Sequence, residues 1–269
     1  MKLIIKYTML VLGAVVFAYP FLWMIASSLK PEAEIGGFGL WSSDFTVHNY
    51  EQVITRIPMG RAFLNSIIVS LSSTVSVVVF GSMVGYALAR LRFTGRGTIY
   101  AIVLFTMTLP FQITLIPQYI LMVKLGITDT YLALVAPTMM TAFSIILFRQ
   151  FFLHVPQALI DAARVDGCSE LRILFRLIWP LSRPVVITVS ILTFMSSWNE
   201  VLWPLIVVRN RSLMTMPQLV TLFTIGGEAE SLLGLQLAAA TLLALPIIIA
   251  YSFFQRYFIE SMASTGIKG

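Results

Sequence analysis

Residues 62–89 read AFLNSIIVSLSSTVSVVVFGSMVGYALA, 28 positions without a Lys, Arg, Asp or Glu, closed off by Arg61 and Arg90. As an α-helix this run would be about 42 Å long, more than the ~30 Å hydrocarbon thickness of a bilayer. It is one of several. Residues 7–29 give 23 uncharged positions, 97–123 give 27, 130–148 give 19 and 231–255 give 25. Residues 184–199 give 16, extended past the lone Glu200 to residue 208 for 25 in all. A spanning helix needs about 20 apolar residues, so six spans fit. The stretch 212–227 is shorter and holds Thr, Pro and Gly, which reads as a surface or re-entrant segment. The chain is therefore expected to be an all-α polytopic membrane protein.

Composition agrees. Of 269 residues, 58% are hydrophobic and 11% charged, against about 25% charged in soluble domains. That excludes a disordered chain, a secreted disulfide scaffold and most soluble enzymes. With the N-terminus in the cytoplasm and six crossings, the inner segments hold 12 of the 18 basic residues and four acids, and the outer loops hold six basic residues and eight acids. The positive-inside rule then places both termini in the cytoplasm. The pI of 9.6 follows from that topology. The basic residues are divided among four short segments, so no continuous stripe for nucleic acid forms. Lys2 and Lys6 resemble the start of a secretory signal, but 23 uncharged residues exceed an h-region and no convincing cleavage site follows, so the first span is expected to be retained.

The chemical inventory is sparse. One cysteine, Cys168, makes no internal disulfide or thiolate metal cage. His48 and His154 fall on opposite sides of the membrane, which disfavours a zinc or Ser–His–Asp hydrolase site. No G-x-x-x-x-G-K-[ST] phosphate loop occurs, so ATP hydrolysis is not expected in this chain. Apart from Glu200 near one end, the spans carry no charge, and proton-coupled carriers need ionisable groups at that depth. Energy is then expected to arrive from a partner. An ion-coupled secondary carrier using backbone carbonyls stays open as the alternative.

Within the spans, Gly81, Gly85 and Ala89 recur every four residues and lay small side chains along one helix face, fit for close helix approach. Pro110 and Pro117 are expected to break the third span, Pro137 the fourth and Pro246 the sixth.

The longest inner segment, 149–183, reads as structured. Pro156 can open a helix whose apolar face is Ala158, Leu159, Ala162, Ala163 and Val165, with Asp161 and Arg164 on the polar side. Gly167 can take the left-handed geometry of a turn. Ser169 can cap a second helix, 170–177, and Pro180 and Pro184 end the segment. A helix pair of this kind buries against a partner or lies in the lipid headgroups.

Asp161-Ala162-Ala163, three residues, Gly167, nine residues and then Leu177-Ile178-Trp179-Pro180 resembles the EAA loop of ABC-importer permeases, E-A-A-x3-G-x9-I-x-L-P. The departures are Asp161 for Glu, Leu177 for Ile and Trp179 for Leu. The resemblance covers nearly the whole chain and is strongest to the second permease subunit of carbohydrate importers of the maltose type. It runs through His48-Asn49-Tyr50, Asn65-Ser66, Gly85 to Arg90, Phe93 to Arg96, Phe148 to Phe152, Trp198-Asn199-Glu200 with Pro204, and the end from Gln255 to Gly269.

That resemblance implies the type I importer permease fold: a first helix and outer loop in 1–61 and a five-helix core in 62–269 carrying a coupling loop, 149–183, and a tail. It implies a non-catalytic subunit that moves sugars, of oligosaccharide, polyol or glycerol-phosphate type, by alternating access. Its partners would be a second permease, two ABC ATPases holding ATP and magnesium, an extracytoplasmic sugar-binding protein and membrane lipid, with no nucleic acid and no cofactor or metal of its own. The site of action would be the prokaryotic inner membrane. Asp161 would pair with a basic residue of the ATPase, or else complement its own helix dipole; Ala162 and Ala163 would permit close approach, Gly167 would turn the chain and Pro180 would close the motif. Gly266, Lys268 and Gly269 would reach the ATPase interface. The outer loop with Glu228 and Glu230 would face the binding protein. Trp198, Asn199 and Trp203 would contact sugar or anchor the membrane interface.

Overall fold

A computed structural model describes residues 2–227, 229 and 232–266. The described residues form helices and connecting loops without a strand. In chain order the helices are α1 (Lys2–Ser28), α2 (His48–Arg56), α3 (Met59–Arg90), α4 (Arg96–Thr108), α5 (Phe111–Lys124), α6 (Tyr131–Val135), α7 (Ala142–Phe152), α8 (Gln157–Val165), α9 (Glu170–Ile173), α10 (Trp179–Leu181), α11 (Arg183–Trp198), α12 (Leu202–Val207), α13 (Met216–Ile225) and α14 (Leu233–Gly266).

Among the described residues, two helices are continuous and apolar over a full membrane thickness, α1 and α3. Three more apolar runs are bent. The run 97–123 is not a straight span: α4 and α5 meet at 104°. Pro110 sits at the N-cap of α5 and holds Leu109 extended, with ψ 120°, because a proline ring clashes with an α-helical predecessor. Pro117 lies inside α5 without ending it. Around Pro137, α6 passes through a 3-10 turn (Ala136–Thr138) and bends by 48° into α7. Thr141 restarts the chain there, its Oγ1 accepting the Ser144 N–H at 3.2 Å as an N-cap. The third bend, 90°, separates α9–α10 from α11. Pro246 lies inside α14, which continues through it.

α3 is the axis. It packs on α7 and α11, and for α7 the glycine spacing gives the reason. A Cβ at Gly85 would stand 2.7 Å from the Phe148 Cβ and 3.1 Å from the Arg149 backbone nitrogen, and one at Gly81 would stand 2.6 Å from the Ser144 hydroxyl. Among lipid tails apolar burial cannot drive helices together, so van der Waals fit at small residues sets the pair. Beside that seam Phe148 and Phe152 stack at 5.5 Å and Tyr86 meets Phe152 edge-on at 6.4 Å.

At the opposite end of α3, loops are held by side-chain caps. The Asn49 amide donates to the Ser28 and Lys30 carbonyls at 2.9 and 3.0 Å, closing the end of α1. The Glu32 carboxylate accepts the Leu233 and Gly234 N–H groups at 2.6 and 2.8 Å and so caps α14. The Asn65 amide donates to the Ser212 and Met214 carbonyls at 2.9 Å, while its oxygen accepts the Tyr131 hydroxyl at 2.6 Å. The segment 212–227, read from sequence as a surface or re-entrant piece, is pinned onto the start of α3 by these bonds and by the Met216 N–H on the Ser66 hydroxyl at 2.7 Å.

Candidate functional site

The segment 149–183 folds as the expected turn between two helical arms. Pro156 is the residue before α8, and Gly167 takes φ +75°, the left-handed conformation that L side chains resist. Three details differ from the sequence reading. The second arm does not stop at residue 177 and Pro180 does not end it: α9 runs through a π-helical turn (Leu174–Ile178) into α10, with Pro180 in the first turn of α10, and the break comes at Ser182. The π turn shifts the hydrogen-bond register, which lets a residue without an N–H continue the arm. Second, Ser169 makes no side-chain cap bond. Third, α8 buries Ile160 and leaves Leu159, Ala162 and Val165 exposed, Val165 to 88%, so the expected apolar face points outward. Ile160, Ile173 and Ile178 fix the hairpin on Phe148 and Phe152.

A closed ring of polar contacts ties α8 to the end of α3. Arg90 donates to the Gln157 side-chain oxygen Oε1 at 3.0 Å, and the Gln157 Nε2 donates to the Asp161 carboxylate at 2.9 Å. Arg164 bridges Asp161 at 3.2 Å and Glu170 at 2.8 Å. The Tyr86 hydroxyl donates to Glu170 at 2.5 Å. Tyr86 and Arg90 lie one helical turn apart on α3, so both ends of the ring start from one helix face. Arg90 also donates to the Phe152 carbonyl at 2.6 Å and to the Val155 carbonyl, satisfying the end of α7. The Arg164 guanidinium, together with the Tyr86 hydroxyl, holds the Glu170 carboxyl below the usual range against a smaller opposing effect of burial. Asp161 thus has an intramolecular partner and remains exposed. Ala162 is exposed and Ala163 half-buried beside it; Pro180 is exposed on the second arm. Arg90, Arg92, Arg96 and Arg164 give the cleft beside Asp161, about 590 Å³, a positive lining.

Sequence reasoning missed Tyr86, Arg90, Gln157 and Glu170 as partners of the hairpin. The available signal was the i, i+4 spacing of Tyr86 and Arg90 and the six-residue separation of Arg164 from Glu170 across Gly167.

On the other half of α3 lies a cavity of about 540 Å³ between α3, α5, the turn after α6, α11 and α12. Glu200 and Trp203 line it; Trp198 and Asn199 do not. Trp198 is 2% exposed, stacked on Phe194 at 5.9 Å and edge-on to Phe63 at 5.8 Å. Asn199 is exposed and its amide donates to the Met195 carbonyl at 2.8 Å. Trp203 is buried, and its indole donates to the Ala133 carbonyl at 2.9 Å. Of the tail residues, Gly266 is the last residue of α14, and Lys268 and Gly269 lie outside the described residues, as do Glu228 and Glu230 of the outer loop.

Residues 77–264 match the family described as binding-protein-dependent transport system inner membrane component. The chain belongs to that family. It is 37% identical over 262 residues to the arabinooligosaccharides transport system permease protein of Halalkalibacterium halodurans, covering 95% of this chain and 93% of that one. It is 29% identical over 272 residues to the sn-glycerol-3-phosphate transport system permease protein of Pectobacterium atrosepticum, covering 97% and 96%. A bacterial ABC transporter involved in the import of the acidic polysaccharide alginate has a chain of the same fold, with TM-score 0.82 and 25% identity over 95% of both chains. This family member is a permease subunit of a binding-protein-dependent importer with the type I importer fold.

Proposed function

We propose that this subunit imports carbohydrate as half of a permease pair, moved by partner ATPases that grip the hairpin 156–181. The observation that carries the reading is the hairpin itself: it presents Leu159, Ala162 and Val165 outward while the ring from Tyr86 to Arg90 fastens it to α3. A rigid element with an unpartnered apolar face at one end of α3 can pass a displacement into the spans. Relatives named for arabinooligosaccharides and lactose support the substrate class.

In this reading six spans cross the inner membrane: α1, α3, α4 with α5, α6 with α7, α11 and α14. Both termini face the cytoplasm, as the basic residues of the inner segments favour. The subunit itself catalyses nothing; ATP and magnesium sit on two ATPase subunits, and a loaded sugar-binding protein docks outside. Closure of the ATPases pulls α8, Asp161 exchanges its bond to Arg164 for a basic residue of the ATPase, and Ala162 and Ala163 allow the approach. Gly167 keeps the two arms of the hairpin at a fixed angle, and Pro180 lies in the arm leading to α11. Gly266, Lys268 and Gly269 extend toward the same interface. Binding protein and ATP each act by favouring one of two conformations.

The test is Asp161→Arg in the complete complex reconstituted in vesicles. The expected result is an assembled complex that hydrolyses ATP without coupled uptake; uptake at the wild-type level removes Asp161 from the mechanism. Uptake driven by an ion gradient through this chain alone supports the secondary-carrier alternative instead.

A further inference from the structure

Seven of the sixteen residues that line the 540 Å³ cavity carry hydroxyls, among them Ser73 on α3, Thr138 in the turn after α6, and Thr193 and Ser197 on α11; Glu200 lines it too, and most of the rest are apolar. Ser73 lies 14 residues from the start of α3 and 17 from its end, about 21 Å and 26 Å along the helix, which puts the cavity at mid-depth of the apolar region. A carboxylate among seven hydroxyl-bearing side chains would be costly against lipid tails, so this face borders a water-filled route or a polar ligand. Glu200 is half committed: Oε1 accepts the Trp203 N–H at 3.1 Å, which leaves the other oxygen available. The lining holds no Lys, Arg or His. Phe111 and Trp203 supply flat apolar walls beside the hydroxyls.

We infer that this subunit contributes a substrate subsite at this cavity, and that its ligand is an uncharged saccharide or polyol. Such a molecule matches the lining: its hydroxyls exchange hydrogen bonds with serine and threonine, one of them donates to the free Glu200 oxygen, and its C–H faces lie on the aromatic walls. A phosphate or uronate would meet Glu200 with no cation to offset it. The inference rests on the carbohydrate-importer reading and narrows it, because relatives of this chain are named for neutral and for anionic cargo alike.

The experiment uses the complete complex with its binding protein in vesicles, offered labelled arabinotriose, lactose and sn-glycerol 3-phosphate. ATP-driven uptake of a neutral probe is expected. Glu200→Gln keeps an acceptor for Trp203 and should raise the KM for uptake about tenfold with a nearly unchanged maximal rate, the loss of one charged hydrogen bond. Ser197→Phe, which fills the cavity, should cut uptake at least about tenfold in a complex that still assembles with its ATPases and binding protein. If Ser197→Phe fails to assemble, Glu200→Gln decides. Unchanged uptake in Glu200→Gln, or wild-type transport of glycerol phosphate only, overturns the subsite. Uptake of every probe without ATP hydrolysis overturns the importer reading instead.

Discussion

α1 and α3 are nearly equal in apolar character and both are long enough to cross a bilayer, yet none of the most apolar window of α1 is buried within the chain and 39% of that of α3 is. Hydropathy therefore tells which helices enter lipid and nothing about which of them meet each other. The difference lies in small polar and glycine positions. α3 sets Ser66, Ser70, Ser73, Gly81, Ser82 and Gly85 along its buried side, whereas the one glycine of α1, Gly13, would meet nothing within 4 Å if it carried a Cβ. A helix that must pack inside a membrane needs close backbone approach, and α3 is built for it.

The largest effect should come from Gly85→Leu. With Phe148 and the Arg149 backbone inside contact range of the first added carbon, about 3 kcal/mol or more of strain is expected, read as loss of folded protein in detergent. Normal yield and melting temperature would break the claim that glycine spacing selects the packed face. Next, Thr141→Ala removes the cap of α7, the helix on which α3 rests, and should cost about 1 kcal/mol in thermal stability. A change as large as that of Gly85→Leu would show that helix initiation, and not the seam, holds the pair.

A smaller effect belongs to the hairpin ring. The Glu170 carboxyl titrates below its ordinary 4.5 because Arg164 and Tyr86 favour its charged form. Its contribution is complete above that ordinary value and disappears as pH falls through the lowered one. The pair is partly exposed, with 34% and 41% of the two side chains accessible, so screening limits it to about 1 kcal/mol or less. The protection of the amides of residues 157–173, taken relative to the intrinsic exchange rate at each pH, should fall as pH drops through that window, and Glu170→Gln should remove that fall. Protection that falls equally in both would remove Glu170 from the ring. The smallest effect is Gly13→Val in α1, where no change in stability of the isolated subunit is expected; a clear loss would place an unrecognised contact on α1.

The hairpin was legible in sequence because turn chemistry is local. Gly167 is the residue that can accept φ +75°, and Pro156 marks the start of α8. What the sequence reading left out was Ile160: the face with Leu159 and Val165, expected to bury against a partner, points outward, and Ile160 is the residue of α8 buried within the chain. The same holds for the three residues proposed along the substrate path. Trp198 and Trp203 look alike as aromatic groups near a span end, but one joins the core with Phe63 and Phe223 and the other lines the cavity beside Glu200. Pro180 shows a third case, since a proline inside a helical arm reads as a stop unless the preceding turn changes register.

By itself the sequence determined the solvent of each segment and the places where the chain must turn, because uncharged run length and backbone permissiveness depend on neighbouring residues alone. Only the tertiary structure decided which face of α8 looks outward, how far the run 97–123 bends, and that Tyr86 and Arg90 close a ring through Glu170 and Gln157. That ring depends on side chains 67 and 84 positions apart in sequence meeting at distances of a few ångströms, and a period along one helix carries no information about such partners.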